Sequence, residues 1–224
     1  MSGDDVPAFD RAFFDRDPLE VARDLLGARI VHRSDEGTVA VRLTEVEAYH
    51  GAQDPGSHAF RGRTARNAVM FEGPGLLYVY RHMGLHTCVN VVCGPPGEAA
   101  AVLLRAGEVV LGRDLARRRR LAAGVVRREE DLASGPARLT VALGLSMAHA
   151  GTDLLAECSA VGLERGDGVP DVRTGPRVGV GGAGGDGEVF PWRFWIAGEP
   201  TVSTYRPASV RRPRTGQTKS PEPL

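Results

Sequence analysis

Apolar and polar residues alternate along residues 38–49, TVAVRLTEVEAY, and a period of two predicts a β-strand. Val39, Val41, Leu43, Glu45, Glu47 and Tyr49 would then share one face. Three apolar side chains followed by two carboxylates on one face predict a strand that leaves the core at a cleft. Upstream, Asp17-Pro18 predicts a helix cap with proline in the first turn. Leu19, Ala22, Leu25 and Leu26 follow at helical spacing, and Gly27 suits the C-terminal cap. A short strand over 28–32 and a turn over 34–37 lead into the long strand.

Downstream, the runs LLYVYR and HTCVNVV predict a β-hairpin turning at Met83-Gly84. Hairpin tips in water are usually polar, so an apolar Met83 there needs a cause. Between strand and hairpin, residues 51–74 form a long loop rich in glycine and arginine, a length that marks function or disorder. The run AVLLRAGEVV, residues 101–110, has a strand's β-branching, yet Arg105 interrupts it and its pattern leaves its state open. Residues 112–123 predict a helix with a basic face, and 124–134 a polar linker. Gly135-Pro136 opens a helix bearing Leu139, Ala142, Leu143 and Leu145. Short strands are expected over 153–156 and 160–163, and a last one over 192–197. Helices and strands interleave without a regular βαβ rhythm. That predicts an α+β fold: one mixed domain with a curved, largely antiparallel sheet, surrounding helices and a protruding hairpin. The domain is expected over 11–205, between a frayed 1–10 and a disordered tail, rich in proline, arginine and serine, over 206–224.

Composition narrows the class. A chain of 224 residues suits one domain with a single core. No apolar run approaches the roughly 18 residues a membrane span needs. The acidic start MSGDDVPAFD lacks a signal peptide's features, so a cytoplasmic protein is expected, nucleoid-associated if bacterial. Cys88, Cys93 and Cys158 are an odd set with no close pair, which argues for reduced thiols and against a zinc or disulfide framework.

Formal net charge is zero, so no global field draws the chain to nucleic acid. The distribution says more. All but one of the 28 basic side chains are arginine, with Lys219 the exception. They cluster at Arg61, Arg63 and Arg66, at Arg117–Arg120, and at Arg206, Arg211, Arg212 and Arg214. Arginine pairs bidentately with phosphate, and a local basic face can bind a backbone despite a neutral total. Solvated surface is the plainer reading of each cluster alone.

Several residues could carry chemistry. Glu45 and Glu47, two apart on one face, could raise each other's pKa and supply a general base; an exposed acidic strand end is the alternative. Tyr49, Tyr78, Tyr80 and His58 could line an aromatic slot or simply pack the sheet. Asn90, in the apolar run VNVVC, needs a partner for its amide. Glu47, His50, His58, His82 and His86 have metal-ligand chemistry but no metal-binding spacing. The glycine-rich stretch 175–198, GPRVGVGGAGGDGEVFPWRFWIAG, lacks the lysine and following helix of a phosphate loop.

Several blocks, taken in order, resemble one family. They are TEVEAYHG, DPGSHAFRGRTARNAVMFEGPGLLYVYRHMGLHTCVNVV, VLLRAGEV, SGPARLTVALGL, GPRVGV and PWRFWIAGEPTVS. Together they cover most of 9–205 and resemble the alkyladenine DNA glycosylase family, the 3-methyladenine DNA glycosylases of the mammalian type. The resemblance implies a DNA glycosylase of base excision repair that acts on alkylated purines in double-stranded DNA after flipping the base. It implies Glu47 as the general base that activates water, with Arg105 and the Val178 carbonyl holding that water. It assigns Tyr49, His58 and Tyr80 to the base pocket and Asn90 to discrimination against guanine. Met83 falls where the family inserts a wedge into the minor groove; mammalian members have tyrosine there. The glycine-rich insert 179–187 departs from the family.

The chemistry is consistent with that transfer. A stacked base must be extruded before its glycosidic bond is reached. An apolar wedge filling the gap gives the exposed Met83 a cause. Cationic alkylated purines suit electron-rich rings. A backbone-nicking glycosylase needs an amine for a Schiff base, and the single lysine lies in the tail, so base release without lyase activity is expected unless the N-terminal amine acts. Arg61, Arg63 and Arg66 are expected on the DNA backbone. A monomer without metal or other cofactor and without membrane contact is expected. The alternatives are a damaged-DNA-binding protein without catalysis and a metal-dependent hydrolase.

Overall fold

The computed structural model describes residues 8–169 and 171–208. Residues 1–7 of the expected frayed start and 209–224 of the expected tail, with Arg211, Arg212, Arg214 and Lys219, lie outside the described residues. The long alternating run becomes β2 (Gly37–His50), and the rest of the fold is built on it. On one side it pairs antiparallel with β5 (Ala100–Leu111), the run whose state its pattern left open. On the other side it pairs first with β1 (Arg29–Ser34) and then with β8 (Arg193–Ile196). The hairpin strands β3 (Leu77–His82) and β4 (His86–Val92) extend the sheet beyond β5; β6 (Val161–Glu164) extends it beyond β1, and β7 (Val172–Gly175) beyond β8. Every pairing between named strands is antiparallel. The fold is α+β, as expected.

The expectation of one shared face along 38–49 is corrected. The β2–β5 ladder is irregular where Leu43 pairs Gly107, Glu45 pairs Ala106 and Val46 pairs Leu104. Thr44 is the extra residue on one strand and Arg105 on the other. Such a bulge re-aims the side chains that follow. Before it, Val39, Val41 and Leu43 enter the main core; after it, Val46 and Ala48 do. Glu45, Glu47 and Tyr49 therefore face the opposite side. The neighbouring strand switches too, from Leu104 in the core to Val109. Gly107 is required here: a Cβ on it would run into the Arg42 carbonyl oxygen.

The main core lies between the sheet and the helices α2 (Pro18–Asp24), α3 (Arg113–Ala123) and α4 (Pro136–Leu143). Helix α2 begins as its sequence predicts: the Asp17 side chain accepts the Leu19 N–H at 2.8 Å and proline opens the first turn. A short helix α1 (Arg11–Phe14), which no pattern announced, packs Phe14 into this core. The strand expected over 153–156 is reduced to a single bridge from Asp153 to Leu76.

A second, smaller cluster covers the other face of the sheet, with Ala59, Met70, Tyr78 and Ala101 among its members. The arginine-rich loop lies over it. That loop is ordered without strands because buried polar side chains hold it. Asn67 donates to the His58 and Gly62 carbonyls and accepts from the Thr64 N–H and hydroxyl, all within 2.6–3.0 Å. Its amide has four hydrogen-bonding positions, and all are met.

Candidate active site

The bulge turns Glu47 into a cleft of about 620 Å³ on the sheet face opposite the main core. Glu47 is fully buried, which overturns the reading of an exposed acidic strand end. Its Oε1 accepts the Val178 N–H at 2.7 Å and lies 3.3 Å from Arg105 Nη1. Its Oε2 accepts the Tyr49 hydroxyl at 2.8 Å. A spacing of two residues after the bulge is what brings phenol and carboxylate together. Burial pushes the Tyr49 phenol well above its usual pKa, and the Glu47 charge adds to this. Tyr49 thus keeps its proton and donates it.

Glu45 is also fully buried but plays another part. Its Oε1 accepts Arg105 Nε at 2.9 Å, Arg193 Nε at 2.7 Å and the Ser203 hydroxyl at 2.9 Å. Its Oε2 accepts the Ser203 N–H at 2.7 Å. Glu45 does not line the cleft, whereas Glu47 does. Arg105 reaches one carboxylate with Nε and the other with Nη1, so a cation stands between them. Burial works against the Arg105 charge, but the Glu47 and Glu45 carboxylates outweigh it and raise its pKa.

Tyr49, His58, Tyr78 and Tyr80 all line the cleft. His58 meets Tyr80 edge to face with ring centroids 4.5 Å apart, and Tyr78 stacks on Tyr80 at 5.7 Å. His58 Nδ1 lies 3.1 Å from the Tyr78 hydroxyl. His58 and Tyr80 touch directly, so they form one wall of the cleft and leave no slot between themselves. Burial pulls the His58 imidazole below its ordinary pKa, and the Arg66 and His82 charges pull the same way. Asn90 is buried at the cleft, and its amide donates to the Tyr78 carbonyl at 3.1 Å.

Sequence reasoning missed Arg177, Asp54, Arg193 and Ser203. Arg177 is almost fully buried and forms two hydrogen bonds to Asp54, at 2.6 and 2.7 Å. Its guanidinium carbon lies 4.5 Å from the Tyr49 ring centroid. The available signal was an arginine immediately before Val178 in GPRVGV. Ser203 carried no signal; only the fold sets it beside Glu45.

Met83 stands at the hairpin tip and is 81 % exposed. The Leu85 N–H donates to the His82 carbonyl at 3.0 Å, and Met83 and Gly84 both take positive φ, 50° and 73°. That is the sign pattern of a type I′ turn, whose twist matches the strands. Among the described residues Met83 is the one non-glycine with positive φ. His82 and His86 pair across the turn. Among the described residues, no three His, Cys, Asp or Glu side chains converge as a metal site would need.

Arg61, Arg63 and Arg66 are exposed along the loop, with Arg66 5.6 Å from the Tyr80 ring centroid. The basic helix is different. Arg119 is bound to Glu36, Ser34 and the Leu143 carbonyl, Arg120 donates to the Leu132 carbonyl, and Arg117 pairs with Glu129. Arg119 and Arg120 thus bind within the fold, whereas the Arg117 pair lies at the surface.

Residues 12–200 match the family model of methylpurine-DNA glycosylase. The chain belongs to the methylpurine-DNA glycosylase family. It is 55 % identical over 208 residues to a protein of Streptomyces avermitilis, covering 92 % of this chain and 95 % of the relative. A protein of Leifsonia xyli subsp. xyli is 57 % identical over 195 residues, covering 85 % and 90 % respectively. One from Mycobacterium tuberculosis is 46 % identical over 205 residues, covering 89 % and 95 %. Each of the three is named provisionally as a 3-methyladenine DNA glycosylase. The methylpurine-DNA glycosylase match spans the bulge, the cleft residues and the hairpin. Among the described residues no helix is long and apolar enough to cross a membrane.

Proposed function

We propose that this chain is a monofunctional DNA glycosylase that hydrolyses the N-glycosidic bond of alkylated purines such as 3-methyladenine in double-stranded DNA. The observation that carries the proposal is Glu47: a buried carboxylate in the cleft, oriented by the Val178 N–H, the Tyr49 hydroxyl and Arg105. A general base must be held at the reacting atom before its basicity matters.

In this reading the nucleotide is extruded and Met83 fills the gap in the stack. The base enters between Tyr49 and the wall of His58 and Tyr80. An imidazole held below its ordinary pKa is neutral near pH 7 and does not repel a cationic purine. Asn90 rejects normal guanine. Water, held by Arg105 and the Val178 carbonyl, attacks the sugar C1′ as the bond to the purine nitrogen breaks. The base leaves with the bonding electron pair, and Glu47 takes the proton from water. A cationic base departs neutral, so it needs no proton donor. Arg61, Arg63 and Arg66 grip phosphates. No metal takes part, and release should survive EDTA.

The test is single-turnover release of 3-methyladenine by Glu47→Gln. Retained DNA binding with a rate loss of about 10²–10⁴ supports the proposal. Near-normal release would remove Glu47 from the chemistry.

A further inference from the structure

Behind Tyr49 lies an ion pair that the steps above do not use. Arg177 and Asp54 have fully buried side chains and are joined by two hydrogen bonds. Tyr49 lines the cleft and Arg177 does not, so the guanidinium covers the rear face of the ring. The other Arg177 bonds run to the Ala48 carbonyl at 2.9 Å and the Gly184 carbonyl at 2.8 Å. Asp54 also accepts the Gly56 N–H at 2.8 Å and the His50 N–H at 3.3 Å.

A cation behind an aromatic ring draws on the same quadrupole that a second cation in front would use. It also repels that second cation, the more strongly because the Arg177 guanidinium is itself fully buried. Arg177 alone would therefore penalise a positively charged base stacked on Tyr49. Asp54 cancels that field, and the pair as a whole is neutral. We propose that the Asp54–Arg177 pair sets the charge selectivity of the cleft, admitting cationic and neutral purines alike because neither partner is left unbalanced. This rests on the reading of Tyr49 as the wall on which the base stacks.

The two partners have opposite signs, which gives the test its power. Duplexes carrying one 7-methylguanine (cationic) or one hypoxanthine (neutral) are bound in a Glu47→Gln background, so that the base stays attached. Each affinity is taken relative to an undamaged duplex. Asp54→Asn leaves an uncompensated cation, and the preference for 7-methylguanine over hypoxanthine should fall on the order of tenfold. Arg177→Gln leaves an anion, and the same preference should rise. The double variant should return the preference toward that of the intact pair. Structural damage alone would weaken both lesions together, so single variants that move the preference in one common direction, or not at all, overturn the proposal. Should Asp54→Asn fail to fold, Arg177→Gln and the double variant decide, since a buried pair replaced on both sides is tolerated better than one broken. If the intact pair in the Glu47→Gln background prefers neither lesion over undamaged DNA while the protein with Glu47 intact releases 3-methyladenine, the proposal is overturned; if the protein with Glu47 intact releases no 3-methyladenine, it is the glycosylase reading that fails.

Discussion

The Val178 N–H and Glu47 Oε1 meet at 2.7 Å across 131 positions of sequence. A carboxylate at the end of one strand is thus aimed by the backbone of a distant glycine-rich loop. Arg105, from the neighbouring strand, holds Glu47 and Glu45 at once.

That geometry separates the two carboxylates by experiment. Glu47→Gln should lose most base release while melting close to wild type. Glu45→Gln removes the charge that two buried arginines share, and breaking such a pair costs about 3–5 kcal/mol. Its melting temperature should drop sharply. Thermal melting with single-turnover release on both variants checks this. Equal stability losses would mean that Glu45 is no more structural than Glu47.

Met83 makes opposite predictions for stability and activity. Its side chain is largely exposed, so Met83→Ala should barely change the melting temperature, whereas a core methionine would cost about 2–5 kcal/mol. Its positive φ carries a backbone cost of about 1–2 kcal/mol that asparagine tolerates better. Met83→Asn should therefore melt slightly higher than wild type. Both variants should release bases more slowly from paired duplex and lose less on mismatched DNA, where unstacking is cheaper. Uniform losses on both DNAs, together with a lower melting temperature, would count against the wedge.

Acid should destabilise the fold through two histidines. Burial lowers the pKa of His32 and, with Arg66 and His82, that of His58. In the unfolded chain both take up protons near a pH of about 6.5. The stability at stake is fully present above that pH and is lost as pH falls from it toward the folded-state values. Urea midpoints should therefore fall between pH of about 7.5 and about 5.5, and a His32→Gln, His58→Gln double variant should show a shallower fall. An unchanged pH slope in that variant would assign the acid sensitivity to other groups.

Salt dependence should tell the two sets of arginines apart. Each lost phosphate contact lowers the slope of log affinity against log salt by about 0.9. Arg61→Ala and Arg63→Ala should show that loss with unchanged melting. Arg119→Ala should leave the slope intact and melt lower, because it removes the bonds to Glu36 and the Leu143 carbonyl. A reduced slope for Arg119→Ala would place the basic helix on DNA.

Much of this protein is written locally. Period-two alternation located β2, β-branched runs around a turn located the hairpin, and Asp17-Pro18 located a helix start, because each depends on neighbours within a few residues. The ordered blocks likewise announced the family. Local patterns could not reveal that Glu45 and Glu47 leave the core's face, because the bulge at Thr44 and Arg105 exists only when two strands pair. Nor could alternation and spacing rank the two glutamates, which only the resemblance told apart and which differ in what surrounds them. Ser203, Arg193 and Arg105 close on Glu45, while Val178, Tyr49 and Arg105 close on Glu47. Nor could they show which arginines are spent inside the fold. Residue type settled which groups could carry charge or donate a proton. Long-range packing decided which of them meet, because a buried charge is stable only where distant parts of the chain supply its partners.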